Sequence, residues 1–524
     1  MNKKIRDLLF FIIVFSLIFN NIPEPIQMNF IGGPVGNKLV FYPLFIGFIY
    51  TGYCNYKYKN IFVDSAAVQK FLIFYLGTTL ISLIIGLFNY PYWDLITNGP
   101  SDQIQKLPKV VAMLKCYNIE FDVKIISSIW LIVRMIKGLV LEFFFTFGGS
   151  YMIYCWYRDD WESAFNILCK SILSSLIIVF SYSMIELFYL ASNDTAKLIL
   201  ETITPYLHTI KTGHGWWPPL LWKNQIRSVF AEPSFFSIWA AFALPFLWYH
   251  IKGAHMNRKE FTYSLILIFF TFLIFMTKAR TGVALLLGEF ILLIVYSLFY
   301  LRSKNGVRAF SMITICTVIG FLLCNIFIND FMGTKKAAIN SYTQPVKKVT
   351  ASDYLEDNVG SIFSMNKRSN IARYSTIIAN VKIGLDNPIL GVGRGMVPAY
   401  MPDYFPIFSK ENWEVRNWIK YQCDKGVLRM GIPSFSAYSI IFAESGFLGL
   451  LLYLLPAMVV VYNLCKRIIL SINKIRYMVV LIAILGILAS GFSNTLNITY
   501  CYWVLMGLGF AMCFGKQVEK LNNE

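Results

Sequence analysis

The sequence predicts an all-α polytopic membrane protein with about 12 transmembrane helices and one long, partly helical exterior loop between the ninth and tenth spans. Three observations carry this. Of 524 residues, 56% are apolar and only 15% are charged, whereas a soluble globular chain carries about 25% charged residues. Too few charges remain to cover a water-facing surface. Apolar runs near the roughly 20 residues that a helix needs to cross the hydrocarbon core recur along the chain. Between them, segments rich in Lys and Arg alternate with segments poor in short-loop cations. A soluble enzyme is thereby excluded. Disorder is excluded too, since 17% of residues are aromatic and apolar runs dominate. The net charge of +18 is accounted for first by basic cytoplasmic loops, so nucleic acid is not an expected partner.

Spans are read at 8–22, 39–54, 66–88, 126–156, 163–190, 234–251, 261–277, 281–301, 309–329, 436–464, 477–493 and 498–514. The first follows Lys3, Lys4 and Arg6 and lacks a small-residue cleavage site, so it is expected to be retained. Lys57 and Lys59, Arg158, Lys252 to Lys259, Arg302 to Arg308, Lys466 to Arg476, and Lys516 with Lys520 all fall on the same side as the first cations. That side is expected to be the cytoplasm, with both termini on it. Three long segments, 89–125, 191–233 and 330–435, then lie outside. The expected division is nine spans in 1–329, the exterior loop 330–435, and three spans with a tail in 436–524. Residues 331–435 hold 14 Lys/Arg against 8 Asp/Glu; this is either a solvated loop or a surface that attracts anions beside the bilayer. No internal repeat with matching broken helices supports a secondary transporter. The ten cysteines show neither a disulfide framework nor zinc-ligand spacing. Only Cys116 and Cys423 fall in exterior loops, where a bridge is conceivable.

Several residues could carry chemistry. Glu232 precedes Pro233 and Ser234 at an expected helix start, where it is either a cap or a general base or acceptor-binding carboxylate. Arg227 precedes it. Lys278 and Arg280 occupy a short exterior turn against the usual charge bias. They either snorkel to lipid phosphates or hold a phosphate of a lipid substrate, for which the planar guanidinium is suited. In the late loop Ile371, Tyr374, Ile378 and Val381 form an apolar helical face ending at Gly384, with Arg373 beside it. The run Gly391, Gly393, Gly395 follows no strand, so it is read as close backbone approach rather than a dinucleotide site; Arg394 within it is a further basic candidate. Glu444 lies about eight residues into the tenth span and must face protein or water. Arg134 and Lys137 share a face of the fourth span. They either meet an anionic ligand or pair with Glu142 and Glu289.

Together these segments resemble the O-antigen ligase/polymerase superfamily of integral-membrane glycosyltransferases. The resemblance rests on the basic turn Lys278-Ala279-Arg280-Thr281-Gly282, and on Arg373 with Gly384 eleven positions later. It rests further on the NPxxGxG run from Asn387 to Gly393 and the AExGxxG run from Ala443 to Gly449. The run from Arg227 to Ser234 is similar to a loop of polysaccharide polymerases. The ligase branch carries a His about nine residues before the ExG glutamate; here Ser434 to Tyr438 keeps the Tyr and lacks the His. The resemblance therefore implies a Wzy-type polymerase on a GT-C-like membrane fold, with a ligase acting on lipid A core, or a lipid-linked oligosaccharide flippase, as the alternatives. It implies undecaprenyl-pyrophosphate-linked oligosaccharide as donor and acceptor, membrane lipid, a chain-length regulator as partner, and a location in the inner membrane with the site facing the periplasm. Arg280 and Arg373 would stabilise the leaving pyrophosphate, with Arg227, Lys278, Arg134, Lys137, Arg394 and Tyr438 binding substrate. Glu232 is the first choice of base, Glu444 the second and His214 a third. With guanidinium groups in the role of a metal, no metal or cofactor is expected.

Overall fold

The computed structural model describes residues 1–28, 36–59, 61–62, 66–100, 103, 107–118, 123–209, 224–252, 257–300, 304–332, 350–364, 367–471, 474–496 and 500–515. No strand occurs among them, and each expected span carries a helix. In chain order these are α1 (Lys3–Phe15), α2 (Phe41–Tyr58), α3 (Ala66–Phe88), α4 (Trp93–Thr97), α5 (Leu107–Cys116), α6 (Val123–Phe143) and α7 (Gly149–Tyr157). They continue as α8 (Trp161–Leu190), α9 (Asp194–Leu207), α10 (Pro233–Trp248), α11 (Arg258–Met276), α12 (Arg280–Tyr300) and α13 (Lys304–Ile326). The late segment holds α14 (Ala351–Asn358), α15 (Arg368–Asp386), α16 (Val397–Tyr404) and α17 (Trp413–Lys425), before α18 (Ala437–Leu470), α19 (Lys474–Ser490) and α20 (Cys501–Phe514). Six of these, α3, α8, α11, α12, α13 and α18, are long and apolar enough to cross a membrane alone. The expected fourth span is α6 and α7 joined by a wide turn at Phe144–Gly148. The chain is an all-α, multi-pass membrane protein.

The core lies around α10. Pro233 occupies its first turn, where a missing N–H costs nothing. From Phe236 to Trp248 every residue is buried, as an all-round apolar helix requires. It packs against α12 and α19. Basic residues gather at one end of the bundle. Arg6 donates to the Trp156 carbonyl at 2.9 Å and Asp160 at 3.2 Å. Arg476 pairs with Glu162 at 2.9 Å and meets the Tyr249 hydroxyl at 3.2 Å. These contacts bring together the start of α1, the turn between α7 and α8, the end of α10 and the start of α19.

The late segment is not a detached loop. Ala372, Ala379, Ile383, Val392, Met396 and Ala443 share a second hydrophobic core with Leu83, Tyr90, Leu131 and Met135. The buried face of α15 differs from the expected one: Asn370, Ala372, Ser375, Thr376, Ala379, Asn380, Ile383 and Gly384 turn inward, while Val381 is exposed. Small residues win because α15 lies close against α18; a Cβ on Gly384 would meet the Phe442 ring at 2.4 Å. The helix runs past Gly384 to Asp386. Cys116 and Cys423 are both free thiols.

Helix α18 breaks at Gly446, whose φ is +64°. There the 388–393 backbone runs alongside it: Phe447 N donates to Pro388 O at 2.7 Å, Val392 N to Ala443 O at 2.9 Å, and Gly393 N to Glu444 O at 3.0 Å. Ser82 Oγ completes the joint with the carbonyls of Leu390 and Glu444 at 2.6 and 2.7 Å. This is the close backbone approach anticipated for the glycine run. A Cβ at residue 446 would meet the Ile389 carbonyl at 2.2 Å on a left-handed backbone that costs an L-residue about 1–2 kcal/mol. Gly446→Ala is therefore expected to lower the thermal midpoint of the purified protein markedly, whereas Gly138→Ala, in open space on α6, should leave it unchanged.

Candidate functional site

Arg280 opens α12 just after the turn in which Lys278 takes φ +48°. Its Nη1 donates to the Ser361 carbonyl at 3.3 Å and to Asn370 Oδ1 at 2.5 Å, and its Nη2 to Ser369 Oγ at 3.0 Å. Asn370 is held for this by its own Nδ2, which donates to the carbonyls of Ser361 and Ser364 at 2.8 Å each. Arg373 lies one turn further along α15. It donates to the Ser493 carbonyl at 3.4 Å and its guanidinium stands 4.8 Å over the Phe435 ring. A guanidinium has five N–H donors, and among the described residues the Ser493 carbonyl is the one acceptor that Arg373 uses.

Glu232 takes the position before the first turn of α10, but its carboxylate makes no cap bond. It accepts instead from Ser234 Oγ at 3.2 Å, so the capping role is not the one it plays. Burial pushes this carboxyl above its ordinary value, while Ser234, Arg373 and Arg227 draw it back. Burial likewise lowers Arg373, with Glu232 opposing and the like charge of Arg280 adding to the shift. Arg373 thus lies within electrostatic reach of both Glu232 and Arg280. Among the described residues, no ion pair closes between Glu232 and either guanidinium. Charges held near but unjoined keep their potential available to an arriving anion.

The other candidates are placed elsewhere. Arg227 is only 2% exposed; its Nη1 donates to Ala231 O at 3.3 Å, and its backbone N and that of Ser228 donate to Glu186 at 3.3 and 2.8 Å. It lies within electrostatic reach of Glu232, and its Nε and Nη2 have no partner among the described residues. Lys278 is half-buried, with Cys324 of α13 as an electrostatic neighbour. Arg134 and Lys137 are exposed on α6, and Arg134 donates to Leu428 O at 2.7 Å. The expected pairing with Glu142 and Glu289 does not form for Arg134: Glu142 pairs with Arg394, and Glu289 is buried against Gly486. His214 lies outside the described residues.

Arg394, Glu142 and Glu444 line a second hollow, of about 100 Å³, with Tyr75, Tyr453 and Thr495. Glu444 Oε1 accepts from Gly395 N at 2.8 Å. The break at Gly446 explains how a carboxylate is tolerated here, since irregular backbone at membrane depth persists where it lines a cavity. Tyr438, whose hydroxyl donates to Leu488 O at 2.5 Å, ties α18 to α19 between the two clusters. Residues 493–496 touch both: Ser493 meets Arg373, and Thr495 lines the hollow.

Sequence reasoning missed two participants. Asn370 orients Arg280, and Phe435 underlies Arg373. Phe435 stands nine residues before Glu444, which is where the ligase branch has its His. Its identity was legible; its contact was not.

The fold and this end of the bundle define a multi-pass membrane protein whose late segment folds back to assemble a charged site. Residues 265–454 match the family model described as O-Antigen ligase (Wzy_C). Over that stretch, which runs from α11 past the break in α18 and contains Arg280, Arg373, Arg394 and Glu444, the chain resembles the O-antigen ligase/polymerase superfamily. Glu232 and Arg227 precede it. No curated protein matches the chain.

The Arg394–Glu142 pair is only partly exposed, with 21% and 27% of the side chains accessible. Removing one partner strands the other charge. Arg394→Ala and Glu142→Ala should each destabilise the protein, and the double variant should recover about 0.5–3 kcal/mol in a thermal-denaturation double-mutant cycle.

Proposed function

We propose that this protein is a membrane glycosyltransferase of the Wzy type, polymerising polyprenyl-pyrophosphate-linked oligosaccharide at the outer face of the cytoplasmic membrane. The observation that carries the reading is Arg373, which stands within electrostatic reach both of Arg280 and of Glu232, a carboxylate that closes no ion pair among the described residues. In this reading the basic end of the bundle is cytoplasmic and residues 330–435 lie outside.

The acceptor hydroxyl gives its proton to Glu232 as its oxygen bonds to the anomeric carbon of the donor. The bond from that carbon to the pyrophosphate breaks, and the lipid pyrophosphate leaves with the electron pair. Arg280 and Arg373 take up the charge that develops on its oxygens. Donors placed in advance at such a point are each worth about 10²–10³ in rate. Asn370 and Phe435 hold the two guanidinium groups in position. Polymerisation is preferred to ligation because Phe435 stands where the ligase branch carries its His, which leaves Glu232 as the nearer base.

Purified protein supplied with a defined lipid-linked repeat should give a ladder of polymer lengths. A single transferred unit on a lipid A core acceptor would instead establish ligation. Arg280→Ala or Arg373→Ala should abolish polymer while the protein level in the membrane is kept, and normal-length polymer from either would defeat the assignment. Glu232→Gln should lose turnover by about 10²-fold or more.

As a base Glu232 works ionised. Burial raises its pKa, so turnover should fall, as pH drops, at a higher pH than an ordinary carboxylate near 4.3 would give. Ser234 stabilises the ionised form; Ser234→Ala should move the acid limb of the pH profile further up. An acid limb indifferent to both Ser234→Ala and Glu232→Gln would assign the base to another group.

A further inference from the structure

We propose that the chain carries a second anion site, a carboxylate-binding pocket built on Lys38 at the start of α2, which takes the acid group of an acidic sugar in the substrate. The proposal rests on the glycosyltransferase reading for the molecule that bears the acid; the pocket's preference for a carboxylate stands without it.

Lys38 is 6% exposed. Among the described residues no carboxylate or carbonyl accepts from its ammonium, whose nearest recorded partner is the Phe41 ring at 6.0 Å. Buried lysines are rarely left so. Burial alone pushes Lys38 down to about 7, and an arriving carboxylate would be the missing countercharge. Lys38 lines a small hollow with Phe19, Asn20, Phe235, Trp239 and Tyr500. Trp239 is 2% exposed and its indole N–H is a second donor without a partner. Among the described residues no acidic side chain lines this hollow. A wall of unpartnered donors selects an acceptor, and a cation among them selects a charged one.

Size narrows the class. The hollow is about 20 Å³, and one water-sized group needs about 10–15 Å³. Room for one or two water-sized groups matches a small planar acid group. Its rim is half-exposed Phe19, Asn20 and Phe235, and its floor is buried Trp239 and Tyr500. Aromatic faces beside a charged donor suit a sugar ring bearing an acid.

Position ties the pocket to the reaction. Asn20 Oδ1 accepts from Ala231 N at 3.1 Å, immediately before Glu232. Phe235 follows one turn into α10 and its N–H donates to the Glu232 carbonyl at 3.1 Å. A sugar seated on Lys38 would therefore lie beside the proposed base, where it could set which repeat unit is accepted.

The test uses the full purified chain in detergent at mildly acidic pH, where Lys38 is charged. Its thermal midpoint is measured with sodium glucuronate, sodium phosphate or glucose, with ionic strength matched by chloride. Glucuronate should raise the midpoint by a few degrees through mass action and glucose should not, while any shift with phosphate, which the Arg280 and Arg373 pair would give, should survive Lys38→Met. Lys38→Met removes an unpaired buried cation and keeps the apolar stem, so its own midpoint should equal or exceed that of the parent while the glucuronate shift disappears. Lys38→Gln repeats the loss without the change in polarity. No glucuronate shift, a phosphate shift that is lost in Lys38→Met, or a glucuronate shift retained in Lys38→Met would each overturn the proposal. Arg280→Ala should keep the glucuronate shift, so failure of the polymerase reading is read separately, from the polymer ladder.

Discussion

Two like charges held close without a closed ion pair are the constraint on which this end of the molecule depends. Arg280 and Arg373 repel each other and are both partly out of water. Such an arrangement relaxes unless neighbours fix it. Here the fixing groups are neutral: the carbonyls of Ser361 and Ser493, the amide of Asn370, the hydroxyl of Ser369 and the face of Phe435. Neutral acceptors orient a guanidinium without neutralising it. The positive potential thus stays available to an anion that arrives from outside the protein. A bound anion relieves the repulsion, so its binding and the order of the late segment are linked through the same contacts.

The late segment is what brings these groups together. Arg280 comes from the start of a span, and Arg373 from α15, which has no place in the apolar bundle by itself. Their approach requires α15 to lie tightly against α18, and that is why its inner face is made of Ala, Ser, Thr, Asn and Gly. Asn380 shows the same logic in polar form, with its Nδ2 donating to Ser434 at 2.8 Å and Ser439 at 3.2 Å. Polar groups sealed at a helix contact must find partners, and these lock the start of α18 in register. The backbone joint between 388–393 and the break at Gly446 fixes the other end of the same contact.

Legibility followed the physics. Span positions were readable because apolar length is a local property, and the clustering of basic ends followed from the alternation of Lys and Arg. Arg280 stood out because a cation on a short exterior turn runs against the usual charge bias, and Arg373 because of its spacing from Gly384 in the resemblance. The face of α15 was misread: the apolar count chose Ile371, Tyr374, Ile378 and Val381, but close packing between helices rewards small residues over large ones. Partners were not legible at all. Nothing local joins Arg394 to Glu142, or Phe435 to Arg373, since each contact spans segments far apart in the chain. Lys38 was passed over because a lone lysine ahead of a span looks like an ordinary flank; only its burial sets it apart.

The two carboxylates first considered as bases now separate by environment. Glu444 is spent: one oxygen accepts a backbone N–H from Gly395, Arg394 is near, and its backbone belongs to the joint at the helix break. Protonating it would unsettle the turn that positions α18. Glu232 has a single hydroxyl partner and two guanidinium groups that act on it without bonding. It can gain and lose a proton with little cost to the fold, and Arg373, which favours its ionised form, lies close to both Glu232 and Arg280. A base and a leaving-group clamp that share one cation are coupled: an anion that draws on Arg373 weakens its hold on the ionised form of Glu232 and makes Glu232 the stronger base. Binding of the donor would then raise the proton affinity of the group that must activate the acceptor, at the moment when it is needed.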